Sequence, residues 1–192
     1  RVVLHLPESE GERDIPLADR VAALAGLCDP PKIETLDEFR PQAGELYLLG
    51  PTTPTRANLA AEIERRFGLR YHTLIHPTAY VSPLARIGQG VFVGANSVVG
   101  PGAWLDDHVF VNRGVTIGHD TRIASFSRLQ PGANLGGLSR IGGGVTVAIG
   151  ATLLERLVVG DRAFIGAGAV VTKDVPDDAL VLGIPTKFKN LP

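Results

Sequence analysis

Aliphatic residues recur at a fixed spacing of six through residues 75–171. From Ile75 to Val171, every sixth position holds Val, Ile or Leu without exception. A small residue often follows four positions later, as Ala79, Ala133 and Ala169 do. This spacing is typical of hexapeptide repeats. The pattern therefore predicts a mainly β fold, a left-handed parallel β-helix.

The alternation of side chains along short strands explains the repeat. The small residue and the next aliphatic residue point inward, the residue between them points outward, and the remaining positions form a corner. Three hexapeptides then close one triangular coil of eighteen residues, and residues 75–171 supply between five and six coils. Glycines near the corners, such as Gly94 and Gly118, are expected to provide the positive φ that tight turns need.

Residues 1–74 do not show the six-residue repeat of aliphatic residues. Their strand-like and helix-like signals alternate at residues 2–6, 15–27, 45–50 and 55–67. We therefore predict two domains: a small α/β domain over residues 1–74 and a β-helix domain with a C-terminal tail over residues 75–192.

Composition limits the classes of partner. Nineteen basic and twenty acidic side chains give a formal charge of −1, so no global field favours nucleic acid or an anionic membrane. Cys28 is the only cysteine, which excludes an intramolecular disulfide and suits a reducing compartment. No apolar run approaches the ~20 residues of a membrane helix. We expect a soluble, cytoplasmic protein that acts on small molecules.

One outward column carries aromatic side chains. Phe92, Phe110 and Phe164 share this column, together with Arg128 and Thr146. Exposed rings on one flat face are unfavourable in water, and they predict a three-fold interface and a homotrimer. In the alternative, the N-terminal domain covers the rings.

Residues 111–120 (VNRGVTIGHD) resemble the active-site segment of bacterial amino-sugar N-acetyltransferases and sialic-acid O-acetyltransferases, which are hexapeptide-repeat acyltransferases with a left-handed β-helix. The resemblance extends to residues 73–79 (TLIHPTA) and 183–187 (GIPTK). It implies acetyl-CoA as co-substrate, no metal, and a sugar or sugar-nucleotide acceptor with an amine or hydroxyl nucleophile. It also implies that His119 is the general base, that Asp120 orients its imidazole, and that the domain of residues 1–74 binds the acceptor or is a vestigial nucleotide-binding unit.

The chemistry of acyl transfer indicates the same histidine. Attack on a thioester needs a base for the proton of the nucleophile, and an imidazole is suited to this near neutral pH. His119 lies at an outward corner, and Gly137 follows eighteen residues later. We expect Gly137 to leave space for the thioester and an exposed N–H for the oxyanion. Cys28 lies outside the β-helix and no serine has a nucleophile motif, which favours direct transfer without an acyl-enzyme.

Other positions match the family in part. Asn112 occupies its polar active-site position, although asparagine is also common in coil turns. Ile149 and Ala167 fall where the family lines its CoA groove between subunits, or they are ordinary wall. Lys187 and Lys189 are expected to meet CoA phosphates, with a solvated tail as the alternative.

Two features depart from the family. Residues 7–12 (PESEGE) replace its glycine-rich turn, and their three glutamates would repel a phosphate. Arg113 stands where the family has a small residue, and Arg128 stands where it often has a second histidine. Both suggest an acceptor with a carboxylate or phosphate, or they pack across the trimer.

Two other classes share the repeat. A metal hydratase like the γ-class carbonic anhydrases needs three converging histidines. His108 and His119 occupy non-equivalent corners and no third histidine lies nearby. A non-catalytic scaffold is the other alternative, and lack of acetyl-CoA binding would favour it.

Overall fold

The computed structural model describes residues 1–4, 15–184 and 186–190, without the side chains of 188–190. The acidic segment 7–12 and the Lys189 side chain, both singled out by the sequence, lie outside the described residues. Contacts divide the chain into two compact units, Arg1–Glu45 and Leu46–Pro192.

The first unit contains a small parallel βαβ arrangement. Its elements are β1 (Val2–Leu4), α1 (Leu17–Ala22) and β2 (Ile33–Thr35), and β1 pairs with β2 in parallel. The second strand was not predicted because its single buried residue is Glu34, which forms a salt bridge with Arg1 at 2.8 Å. A buried charged residue leaves no hydrophobic pattern to detect.

The second unit begins with a helix that packs against the β-helix. The predicted strand at residues 45–50 is wrong, because only Tyr47 forms an isolated bridge, to Tyr71. The helix α2 (Arg56–Phe67) is present as predicted. The buried guanidinium of Arg56 donates to the backbone oxygens of Thr53 and His108. Burial lowers the pKa of Arg56 to about 10.

Through this contact α2 belongs with the repeats, although the sequence places a boundary at residue 74. The two divisions differ because periodicity begins at Ile75, whereas packing already includes α2. The function predicted for residues 1–74 stays a prediction. Among the described residues, no helix combines the length and apolar content that crossing a bilayer requires.

Short strands follow one another at six-residue intervals. They are β3 (Leu74–Ile75), β4 (Tyr80–Val81), β5 (Arg86–Ile87), β6 (Phe92–Val93), β7 (Val98–Val99), β8 (Trp104–Leu105), β9 (Phe110–Val111), β10 (Thr116–Ile117), β11 (Arg122–Ile123), β12 (Arg128–Leu129), β13 (Asn134–Leu135), β14 (Arg140–Ile141), β15 (Thr146–Val147), β16 (Thr152–Leu153), β17 (Val158–Val159), β18 (Phe164–Ile165), β19 (Val170–Val171), β20 (Ala179–Leu182) and β21 (Lys187–Asn190). In β3 to β19, the second residue is always the predicted inward aliphatic residue.

The strands form three parallel sheets. Face 1 contains β3, β6, β9, β12, β15, β18 and β20, with β21 added antiparallel; face 2 contains β4, β7, β10, β13, β16 and β19; face 3 contains β5, β8, β11, β14 and β17. Partners lie eighteen residues apart, as Thr116 and Asn134 do. This confirms the left-handed parallel β-helix. The turns are named corner 1–2, corner 2–3 and corner 3–1 after the faces they join.

Buried hydroxyls hold successive coils together at the corners. Ser97, Ser127 and Ser139 donate to backbone oxygens fifteen residues later, and Thr121 does the same to Gly136 at 3.0 Å. These hydroxyls are buried and engaged, so they satisfy backbone carbonyls that the corners would otherwise leave unpaired.

The glycines at the predicted corner positions act differently from the expectation. Gly94 and Gly118 do not have positive φ. A Cβ on Gly118 would lie 2.4 Å from the backbone nitrogen of Gly137. These glycines therefore permit close approach of adjacent coils. The positive φ falls two residues later, at Asn96 and Asp120, and the prediction of its position was wrong.

The outward columns distinguish the three faces. The rings on face 1 are half-buried within this chain, and those of Phe92 and Phe110 stack at 4.9 Å. The prediction that these rings are exposed is therefore wrong. The outward column of face 2 is uncharged and comprises Tyr80, Val98, Thr116, Asn134, Thr152 and Val170. The outward column of face 3 is basic and comprises Arg86, Trp104, Arg122, Arg140 and Val158.

Candidate active site

A histidine and an aspartate form a hydrogen-bonded pair at corner 2–3, between β10 and β11. Nδ1 of His119 lies 2.9 Å from Oδ2 of Asp120. An ionised carboxylate can only accept, so Nδ1 is the donor and Nε2 retains its lone pair. The His119 side chain is 58% exposed. Nε2 is thus free to accept a proton from a ligand.

The corner conformation places the pair. Asp120 has a φ of 55°, a left-handed conformation that aspartate adopts more readily than most residues. One coil earlier, a Cβ on Gly102 would lie 2.2 Å from Oδ1 of Asp120. Gly102 therefore makes room for the carboxylate. We did not predict this role, although the glycine lies eighteen residues before Asp120.

Gly137 lies against the imidazole from the next coil. A Cβ at Gly137 would be 2.7 Å from Nε2 of His119, and Gly137 is buried. The open space expected at this glycine is therefore wrong, because the ring itself occupies it, while the role of the Gly137 N–H toward the oxyanion stays a prediction. A contact of Gly137 with acetyl-CoA stays a prediction.

A Gly137→Ala substitution is expected to displace the imidazole and lower kcat, with little change in thermal stability. The φ of Gly137 is not positive, so alanine fits the backbone while its Cβ collides with Nε2. The matched control is Gly143→Ala, one repeat later, where the nearest atom to a Cβ is 3.7 Å away. Equal turnover in the two variants would contradict a requirement for this ring position.

The other predicted site residues do not meet His119 within one chain. Ile149 and Ala167 are exposed at corner 1–2, at the far edge of face 2. Lys187 is exposed on β21, beyond face 1.

Asn112 and Arg113 occupy the same corner 1–2. Oδ1 of Asn112 accepts from the backbone nitrogen of Arg113 at 2.8 Å, and its Nδ2 donates to Gln130 at 3.4 Å. Asn112 therefore also stabilises its turn. The side chain of Arg113 is exposed.

Arg128 lies on face 1, the side of the triangle opposite corner 2–3. It is half-buried, and its Nε donates to Oγ1 of Thr146 at 3.0 Å. Burial lowers the pKa of its guanidinium. These contacts support packing as one role of Arg128.

His108 is buried and stacks on Phe126 at 4.7 Å between ring centroids. Burial lowers its pKa. This environment suits a neutral packing residue better than a base that meets substrate. Within the described part of the chain, no three His, Cys, Asp or Glu side chains are grouped as a metal ion would require.

The fold and this site define a class: hexapeptide-repeat β-helix proteins with a histidine–aspartate pair at a coil corner. The acetyltransferase domain of PglB from Neisseria gonorrhoeae FA1090 is similar, with 32% identity, a TM-score of 0.72, and coverage of 88% of this chain and 92% of that domain. That domain has also been solved in complex with acetyl coenzyme A. The chain belongs to the left-handed β-helix hexapeptide-repeat acyltransferases.

Two further relatives extend the comparison. PerB from Caulobacter crescentus, solved in complex with CoA and GDP-perosamine, is 33% identical with a TM-score of 0.69, over 72% of this chain and 66% of that one. A serine acetyltransferase of Synechococcus elongatus is 38% identical over 107 residues, which are 55% of this chain and 40% of that enzyme. The chain thus spans less than half the length of this curated relative. No protein-family model matches it.

Proposed function

We propose that the protein transfers an acetyl group from acetyl-CoA to an amine or hydroxyl of a sugar or sugar-nucleotide acceptor. The observation that carries this proposal is the His119–Asp120 pair, which leaves Nε2 free at an exposed corner. The relatives solved with acetyl coenzyme A, or with CoA and GDP-perosamine, support the donor and the acceptor class. The donor is a cytoplasmic metabolite, so a cytoplasmic location is part of the proposal.

His119 acts as the general base in this mechanism. Its Nε2 takes the proton of the acceptor nucleophile as that atom forms a bond to the thioester carbon. The carbon–sulfur bond then breaks, and the imidazolium returns the proton to the CoA thiolate. Asp120 holds the Nδ1–H and stabilises the imidazolium. Transfer is direct, without an acyl-enzyme: no serine has a nucleophile motif, and Ser97, Ser127 and Ser139 at the coil corners are buried.

A homotrimer completes the site. We assign its three-fold axis to face 2 instead of the aromatic face 1. The outward column of face 2 is uncharged over six strands, and Val98 is 41% exposed. Interface cores are depleted of charge. Face 3 is excluded from the axis because three copies of its arginines would repel one another.

This arrangement explains why most of the predicted site residues lie at two corners, although Arg128 and Lys187 do not. When face 2 of each copy faces the axis, corner 2–3 of one copy meets corner 1–2 of the next. His119 then lies beside Asn112 and Arg113 of the neighbouring copy. Ile149 and Ala167 follow along the same groove, two and three coils further, or about 10 and 14 Å. Acetyl-CoA runs along this groove from its thioester at His119 toward Lys187.

The test measures release of the CoA thiol with a panel of acceptors. UDP- and GDP-linked amino sugars, their hydroxyl analogues, and free serine are each incubated with acetyl-CoA. We expect release with an amino-sugar or sugar nucleotide, together with acetyl-CoA binding by calorimetry. Activity with serine alone would contradict the sugar acceptor, and absence of acetyl-CoA binding would contradict the whole proposal.

A further inference from the structure

Face 3 carries a ladder of arginines beside the proposed active site. Arg122 on β11 pairs in register with Arg140 on β14, so the two exposed side chains stand on adjacent strands about 4.8 Å apart. Trp104 lies on the next strand of the ladder, and its ring is 5.3 Å from the guanidinium of Arg122.

The two arginines lack neutralising partners. Among the described residues, neither forms a hydrogen bond or ion pair with a carboxylate through its side chain. Like charges directly opposite each other in a sheet are unfavourable. Contact with Trp104 orders Arg122 by a cation–π interaction and leaves the N–H groups of its guanidinium available. Such an arrangement favours an anion that bridges both groups.

The position of the ladder relates it to catalysis. Arg122 follows His119 by three residues, directly after corner 2–3, and Arg140 follows Gly137 in the same way one coil later. The guanidinium pair and the His119–Gly137 contact are therefore neighbouring features of the same two coils. A ligand with its nucleophile at Nε2 can extend onto face 3.

We propose that Arg122 and Arg140 bind the phosphate or diphosphate of the acceptor, an inference that rests on the proposed function. Phosphate is the ligand because guanidinium groups contact its oxygens in a bidentate manner. Acetyl-CoA also carries phosphates, but its groove follows corner 1–2 of the neighbouring copy. The acceptor thus approaches His119 from face 3, and the donor approaches it from corner 1–2 of the neighbouring copy.

Calorimetry with inorganic pyrophosphate tests this assignment on the whole chain of residues 1–192. The double variant R122A/R140A is expected to lose at least about tenfold in pyrophosphate affinity, because two charge-assisted contacts are removed. The matched control is R86A. Arg86 lies on the same face and contacts Trp104 at 5.2 Å, but it is not adjacent to a second arginine. R86A is expected to bind pyrophosphate as wild type does.

A parallel titration with acetyl-CoA separates the two phosphate sources. Unchanged acetyl-CoA affinity in R122A/R140A, together with weakened pyrophosphate binding, supports the acceptor assignment. Equal losses for both ligands would overturn it in favour of the donor. Unchanged pyrophosphate affinity in the double variant, or no binding by wild type, would overturn the site itself. If the wild type does not bind acetyl-CoA, the proposed function is refuted. Pyrophosphate binding that depends on Arg122 and Arg140 would still establish the anion site.

Discussion

His119→Ala is expected to lower turnover by about 10²- to 10⁴-fold, the usual contribution of a general base. The side chain is exposed at a corner, so thermal stability and acetyl-CoA affinity should stay close to wild type. The loss should appear in kcat and kcat/KM together, because proton removal occurs only on the reaction path.

The pH dependence gives this variant an independent readout. In wild type, kcat/KM should fall on the acidic side, because a general base acts only in its unprotonated form, and His119→Ala should lack that limb. Asp120→Asn serves as the control, since asparagine also tolerates the left-handed conformation at this position. It should cause a smaller loss, because the imidazole remains while its charged partner is removed. A wild-type profile in His119→Ala would refute the assignment of the base.

Val98→Arg is expected to convert the trimer to monomers and to abolish activity with it. In the proposed assembly, three guanidinium groups would meet near the axis within an uncharged surface. An unpaired charge in such a surface is strongly unfavourable. Analytical ultracentrifugation measures the change, with wild type sedimenting as a trimer.

Val158→Arg is the matched control for this interface. Val158 is also an outward valine at the first position of its strand, 49% exposed on face 3. We expect this variant to remain trimeric. Dissociation of Val158→Arg with an intact Val98→Arg trimer would move the interface to face 3, and a monomeric wild type would exclude a shared site altogether.

The inward positions of the β-helix could be predicted because each two-residue strand from β6 to β19 buries its second side chain. That requirement repeats at every sixth residue and is visible in the sequence alone. The strand β2 escaped prediction because its only buried side chain, Glu34, is charged and pairs with Arg1. The exposure of Phe92 and Phe110 could not be inferred from alternation, which gives the direction of a side chain but not what covers it.

The candidate site also contains some features that the sequence could predict and others that it could not. His119 and Asp120 are adjacent in sequence, and their pairing was predictable from residue type and corner position. The role of Gly102 depends on the space around the Asp120 carboxylate, and that of Gly118 depends on the approach of Gly137. Both roles depend on distances between adjacent coils, which the sequence does not give. In the proposed assembly, the surroundings of Arg113 depend further on a neighbouring copy, which no single-chain pattern specifies.

Trp104 is the only tryptophan of the chain, and it lies between the guanidinium groups of Arg86 and Arg122 at 5.2 and 5.3 Å. Its indole emission therefore comes from one known place on face 3, with no other tryptophan contributing. Cationic groups near an indole perturb its excited state. A ligand that moves the Arg122 guanidinium away from the ring therefore changes the fluorescence emission of Trp104. The molecule thus carries a native, label-free optical reporter beside its proposed acceptor site.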